Sequence, residues 1–315
     1  MGITACMRTT TRTPAYRALT TTASTHKLQQ AYVGDAVAST ARWIAAARAR
    51  ESERHDAVFV DRFAAALAGE EGFAFRDGQA PIAVSRTKFM DDFVLDACRR
   101  GATQVVNLGA GMDTRAVRLP FPRGVTVYEL DKPELFRVKE PILETMLRPD
   151  ERALCTRRVV PVNFDANESW VEKLVEAGFD RSAKAVFVLE GLTYYLSQKE
   201  NEVVFAGAAS VAAPGSSLVL DMVNGDFMRE QNSWHLQDLR ERGCGWLWGS
   251  NDPEGVLASH GFAATIFDLD HLSVVRSRGA GKPPSIRAVP SPRGRIHGGG
   301  PRTFYVTAVK SAAVA

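Results

Sequence analysis

Residues 105–114 read Val105-Val106-Asn107-Leu108-Gly109-Ala110-Gly111-Met112-Asp113-Thr114. A short, mostly apolar run, compact enough to be a strand buried on both faces, passes straight into a turn with two glycines. In open α/β sheets such a turn lies at the carboxyl end of a strand, where ligands bind. Glycine suits that place because a Cβ would keep the backbone away from the ligand. A tight turn with no ligand is the plain alternative.

Around this stretch, short apolar runs at 104–108, 125–130, 159–162, 185–189 and 218–220 alternate with helical patterns at 132–147, 168–177 and 198–212. That alternation predicts an α/β fold with a doubly wound, mainly parallel sheet covered on both faces. Upstream, apolar spacing of three and four at 35–53, 61–67 and 82–100 predicts a helical cap over residues 35–101, ahead of a cofactor-binding core over 102–223. Downstream, Trp234, Trp246 and Trp248 stand among glycines and mark an irregular insertion over 224–261, assigned to substrate. Residues 262–269 and 302–309 read as two more strands, which makes seven. Between these C-terminal strands, 277–300 reads as a loop rich in Pro, Gly and Arg.

Composition narrows the function classes. The chain has 315 residues, 45% hydrophobic and 24% charged, as in soluble globular proteins. Its four cysteines form no CxxC pair and its six histidines no cluster, so neither a disulfide framework nor a metal site is expected. No apolar run approaches the roughly 18 residues of a membrane span, so no membrane partner is expected. The net charge of +3 conceals a division: residues 1–34 carry +4 and residues 271–315 carry +8, which leaves −9 on residues 35–270. A folded body of that sign argues against a nucleic-acid partner. Residues 1–27 are rich in Arg, Ser and Thr and free of acids, with no apolar core of a secretory signal. Residues 1–34 therefore read either as a disordered tail on a cytoplasmic protein or as carrying an organellar transit peptide.

The glycine turn also selects among cofactors. The dinucleotide fingerprint G-x-G-x-x-G/A needs a small third residue, but Thr114 stands there, and Asp113 would bring negative charge towards a pyrophosphate. A cofactor with a sugar and a base but no phosphate fits better; a nicotinamide-dependent Rossmann oxidoreductase is the rival. Some twenty residues on, Glu129 and Asp131 share one face of the second strand, and either can accept from both ribose hydroxyls. Asp131 also precedes Lys132-Pro133, as an N-cap would. Arg86 shares the apolar helix face of Phe89, Met90 and Phe93, where a guanidinium needs an anion. That anion is either a ligand carboxylate or an internal partner such as Glu190 or Asp92.

Taken together, Val105–Arg115, Tyr128–Pro133, Val162–Asp165 and Leu189-Glu190-Gly191-Leu192-Thr193-Tyr194-Tyr195-Leu196 resemble the leucine carboxyl methyltransferase family. Within it the chain is most similar to bacterial O-methyltransferases, including those acting on polyketide carboxylates; the resemblance runs from about Asp35 to Asp221. It implies a class I, Rossmann-like methyltransferase with S-adenosyl-L-methionine as cofactor and a small-molecule acceptor. By the same resemblance Arg86 pairs with the cofactor's carboxylate, Gly109 forms the backbone contact and Asp131 holds the ribose; Gly111 of the turn and Glu129 of the strand face stand with them as cofactor-binding candidates. Asn163 and Phe164 fall beside the adenine, where the family usually has Asp-Leu; Asp165 is placed to supply the charge that Asn163 lacks. Glu190 is the acid that ends the fourth strand. Arg86 and Tyr194 are the candidates for catalysis, with Tyr194 and Tyr195 either lining a substrate pocket or packing beneath the sheet. No His-based dyad accompanies the motifs, which favours a carboxylate acceptor (pKa near roughly 4) over a phenol (near roughly 10). A protein C-terminal carboxyl methyltransferase is the alternative within the family. The oligomeric state is not legible.

Overall fold

Runs with no polar alternation need cover on both sides, and the central strands obtain it. In the computed structural model, which describes residues 36–74, 80–152, 154–164, 169–229, 234–270, 277–278, 287–290 and 299–311, five parallel strands form the centre of the sheet. They are β1 (Gln104–Leu108), β2 (Thr126–Asp131), β3 (Thr156–Pro161), β4 (Ala185–Leu189) and β5 (Ser217–Val223), ordered 3-2-1-4-5. Val106, Leu108, Phe187, Leu189 and Leu220 point to one face, against α7 (Trp170–Glu176) and α8 (Gln198–Val211). Their neighbours Val105, Val127, Val186, Val188 and Val219 point to the other, against Met90 and Val94 of α3 (Ala80–Arg99).

The far edge is antiparallel. β8 (Thr303–Lys310) lies between β5 and β6 (Phe262–Asp270), with Leu220 opposite Val306 and Val306 opposite Ile266. These seven strands are those expected. An eighth, β7 (Arg287–Pro290), pairs with the outer edge of β6 inside the segment read as a loop. Four residues are too few to show a period, and a terminal proline is tolerated because this strand is an edge. The insertion likewise contains more regular structure than expected: α9 (Gly225–Arg229), α10 (Trp234–Glu241) and α11 (Pro253–Ala258).

Over the sheet's carboxyl ends sits the cap. α1 (Ala36–Ser52) and α2 (Ala64–Phe73) pack through Ala45, Phe63 and Leu67 onto Met112 and Val117, which belong to the glycine turn and the four-residue α4 (Arg115–Arg118). Leu135 and Ile142 of α5 (Pro133–Met146) complete this cluster. A capping box at the start of α8 joins Ser197 and Glu200 reciprocally and so fixes the exit of the Leu189–Leu196 motif. Among the described residues no helix is long and apolar enough to cross a membrane. Residues 1–34, and most of 277–300, lie outside the described residues.

Within the basic C-terminal segment, Arg278 bonds acids of the body. Arg278 donates to Glu51 (2.7 Å) and Asp56 (2.8 Å), clamping the end of α1. Glu51 is buried, so it is costly to leave without this partner. Arg278→Ala is expected to lower the melting temperature by a few degrees in dilute buffer, with a smaller difference in high salt; scanning calorimetry at two ionic strengths measures it.

Candidate functional site

A cavity of about 480 Å³ opens at the carboxyl ends of β1, β2, β4 and β5, where the strand order reverses between β1 and β4. The glycine turn forms its floor. Gly109 (φ 69°) and Gly111 (φ 48°) both take left-handed backbone conformations, and a Cβ on Gly109 would meet Leu192 Cδ1 at 2.9 Å. The amides of Gly109 and Ala110 donate to the Leu130 carbonyl, while that of Gly111 donates to Asp131 Oδ2 (2.7 Å). The other carboxylate oxygen of Asp131 accepts from the Lys132 amide (2.7 Å). Asp131 thus joins the ends of β1 and β2 while facing the cavity. Burial pushes its pKa up, despite these amides and the nearby Lys139 and Lys132. The N-cap position of α5 belongs to Lys132, not to Asp131.

Glu129 is a correction. It shares the strand face of Asp131 but lies two residues, roughly 6.6 Å, deeper in the sheet. There its carboxylate is held by Lys139 (2.7 Å) from α5 and by Arg157 (2.7 and 3.1 Å) from β3, and it does not line the cavity. Burial would raise its pKa, but these two cations hold it down at about 2.

Arg86 has the internal partner expected for it and also lines the cavity. Its side chain faces the cavity while Nε donates to Glu190 (3.0 Å) and Nη1 to Asp221 (3.0 Å) and to the Tyr194 hydroxyl (2.9 Å). Asp92, the other candidate partner, pairs with Lys88 instead. The Tyr194 hydroxyl donates in turn to Asp221 Oδ2 (3.2 Å). Burial and the Asp221 charge raise its pKa far above the usual phenol range, so it stays a neutral donor. Glu190 is also bound by Arg115, which bonds Asp91 and Asp113 as well. Burial works against ionisation of Glu190, yet Arg115, Arg86 and Arg48 keep its pKa at about 2.

Asp221 is the site residue the sequence reading missed. Its Oδ1 accepts the Gly191 amide (2.7 Å) and its Oδ2 meets Arg86 and Tyr194. A signal was present: β2, β4 and β5 each bring an acid to their carboxyl ends, at Asp131, Glu190 and Asp221. Asn163 and Phe164 also line the cavity. Asp165 lies outside the described residues. Trp43 and Ile44 of α1, Phe227 of α9, Leu239 of α10, Tyr195 and Trp246 add apolar lining to the same cavity. Trp246 stacks on Tyr194 (4.2 Å between centroids) and meets Phe227 (5.3 Å), while Trp248 packs on Phe205 outside the cavity.

The two buried glutamates give a pH prediction. Both have pKa values lowered from 4.5 to about 2, so their ion pairs contribute full stability above about pH 4.5 and lose it as pH falls towards 2. Chemical denaturation between pH 6 and pH 3 is expected to show a falling midpoint, with a shallower fall for Glu129→Gln. Equal slopes would contradict the assignment.

A mainly parallel sheet with a glycine turn after β1, an acid closing β2 and a cavity at the switch point defines a Rossmann-like cofactor-binding domain. Residues 41–209 match the leucine carboxyl methyltransferase family, and the chain belongs to it. A relative from Streptomyces coelicolor, named "Putative S-adenosyl-L-methionine-dependent methyltransferase SCO7813", is 32% identical over 257 residues, covering 76% of this chain and 88% of its own. Another with the same functional name, from Mycobacterium avium, is 37% identical over 188 residues, covering 60% of this chain; the chain spans 59% of that protein's length. The solved structure of an O-methyltransferase family protein from Burkholderia thailandensis aligns with a TM-score of 0.45 at 17% identity, over 78% of this chain and 63% of that one.

Proposed function

We propose that the chain is an S-adenosyl-L-methionine-dependent methyltransferase that methylates an oxygen of a small-molecule acceptor, a carboxylate foremost. The observation that carries the reading is the acidic excess of the cavity: Asp113, Asp131, Glu190, Glu200 and Asp221 line it against Arg48, Arg86 and Lys132. Asp113 sits on the glycine turn, where a dinucleotide would place its phosphates, so the lining suits a cationic cofactor without phosphate. The cradle fits such a group as well, since Gly109 and Gly111 leave backbone rather than side chains at the floor.

When bound, S-adenosyl-L-methionine supplies a sulfonium methyl group already activated for in-line displacement. The chain's own residues do the binding and aligning. Asp131 accepts from the ribose hydroxyls, and Asn163 and Phe164 flank the adenine. Arg86 takes the amino-acid carboxylate, with Glu190 and Asp221 beside it to receive the ammonium. Tyr194, neutral and bonded to both Arg86 and Asp221, fixes the guanidinium and lines the same cavity. The wall from the cap and the insertion, Trp43, Phe227, Leu239 and Trp246 among its members, excludes water and seats the acceptor.

Among the described residues lining the cavity none is a histidine. Glu190, with a pKa of about 2, is too weak a base for a phenol. A carboxylate acceptor needs no base, which is why it comes first. Incubation with methyl-labelled cofactor and a panel of small acids, phenols and protein extract tests this. Base-labile label in a small acid is the expected result; base-stable label, or label confined to protein, would overturn it.

A further inference from the structure

Thr114, the residue that departs from the dinucleotide fingerprint, has a partner outside the cavity. Its hydroxyl donates to Asp61 Oδ2 (2.7 Å), in the link between α1 and α2. The same oxygen accepts from Arg48 Nε (3.0 Å), and another nitrogen of Arg48 donates to the Met112 carbonyl. One carboxylate therefore ties the glycine turn to the cap twice, directly at Thr114 and through Arg48 at Met112. Asp61 is itself fixed. Its amide donates to Ser52 Oγ (2.8 Å), its Oδ1 accepts the Phe63 amide (3.1 Å), and its side chain is fully buried. Arg118 lies 3.9 Å away and is shared with Asp91. Met112, Asp113 and Arg48 line the cavity, whereas Asp61 does not.

We propose that Asp61 is a positioning residue for the cofactor: its carboxylate ties the Gly111–Thr114 turn to the cap and holds it at the height that the ligand requires. Asp61 and Arg48 together bridge the cap to this turn with charge, and Asp61, which does not line the cavity, acts on the ligand through Arg48 and Thr114 rather than by contact. The proposal rests on the cavity being the S-adenosyl-L-methionine site.

Calorimetric titration of the full chain with S-adenosylhomocysteine, alongside melting temperatures, tests it on Asp61→Ala, Asp61→Asn and Thr114→Val. Asp61→Ala is expected to raise the Kd about tenfold or more, because the turn loses its ties to that carboxylate and is misplaced beneath the ligand. Thr114→Val leaves no buried charge without a partner, so it should remain folded with a nearly unchanged melting temperature while its Kd rises severalfold. Asp61→Asn keeps an acceptor for Thr114 and should recover part of the affinity lost in the alanine variant. If Thr114→Val and Asp61→Asn both bind as tightly as the unaltered chain, Asp61 serves stability alone and the proposal fails. If the unaltered chain itself binds no S-adenosylhomocysteine, the cofactor reading fails and this proposal with it.

Discussion

Asp131→Ala is expected to weaken S-adenosylhomocysteine binding by about a hundredfold or more. The carboxylate is the acid at the end of β2, facing the cavity beside the glycine turn. Two hydrogen bonds from ribose hydroxyls to an ionised acceptor, at about 1.5–3 kcal/mol each, amount to two or more powers of ten in affinity. Part of the loss is indirect, because the Gly111 and Lys132 amides lose their acceptors. Asp131→Asn separates the two contributions: it can keep an acceptor near the amides but gives up the charge, so a smaller loss is expected. Binding that is unchanged in both variants would refute the ribose assignment.

Arg86→Ala is expected to act on stability and on binding together. It removes the shared partner of Glu190, Asp221 and Tyr194, leaving buried acids under-compensated; breaking such a cluster costs about 3–5 kcal/mol. It also removes the guanidinium assigned to the cofactor's carboxylate, so affinity should fall about tenfold or more and turnover with it. Arg86→Lys keeps the charge without the fork and should fall between the two. A lower melting temperature with undiminished affinity for S-adenosylhomocysteine would leave Arg86 a purely internal ion-pair partner.

These residues differ in how far sequence could reveal them. β1 and β4 were legible to the residue because each is a short, mostly apolar run buried on both faces and a glycine-containing turn or motif follows each. β7 was not, since its pairing with β6 depends on chain far away in sequence and four residues carry no period. Asp131 was legible from its spacing to the glycines. Glu129 had the same spacing, and what removes it from the cavity is Lys139 and Arg157, one on a helix and one on a neighbouring strand. Arg115 shows the same limit: its partners Asp91 and Glu190 come from 24 and 75 positions away and converge only when the sheet assembles. Spacing gave the places where ligand groups belong, and packing determined which charges were left to fill them.

Titration calorimetry of the unaltered chain with S-adenosylhomocysteine, and separately with NADH, addresses the cofactor reading on which the rest depends. The account predicts one site with a Kd in the micromolar range or tighter for S-adenosylhomocysteine, and no heat with NADH. Tight NADH binding with no S-adenosylhomocysteine binding would contradict it and return the cavity to the dinucleotide class.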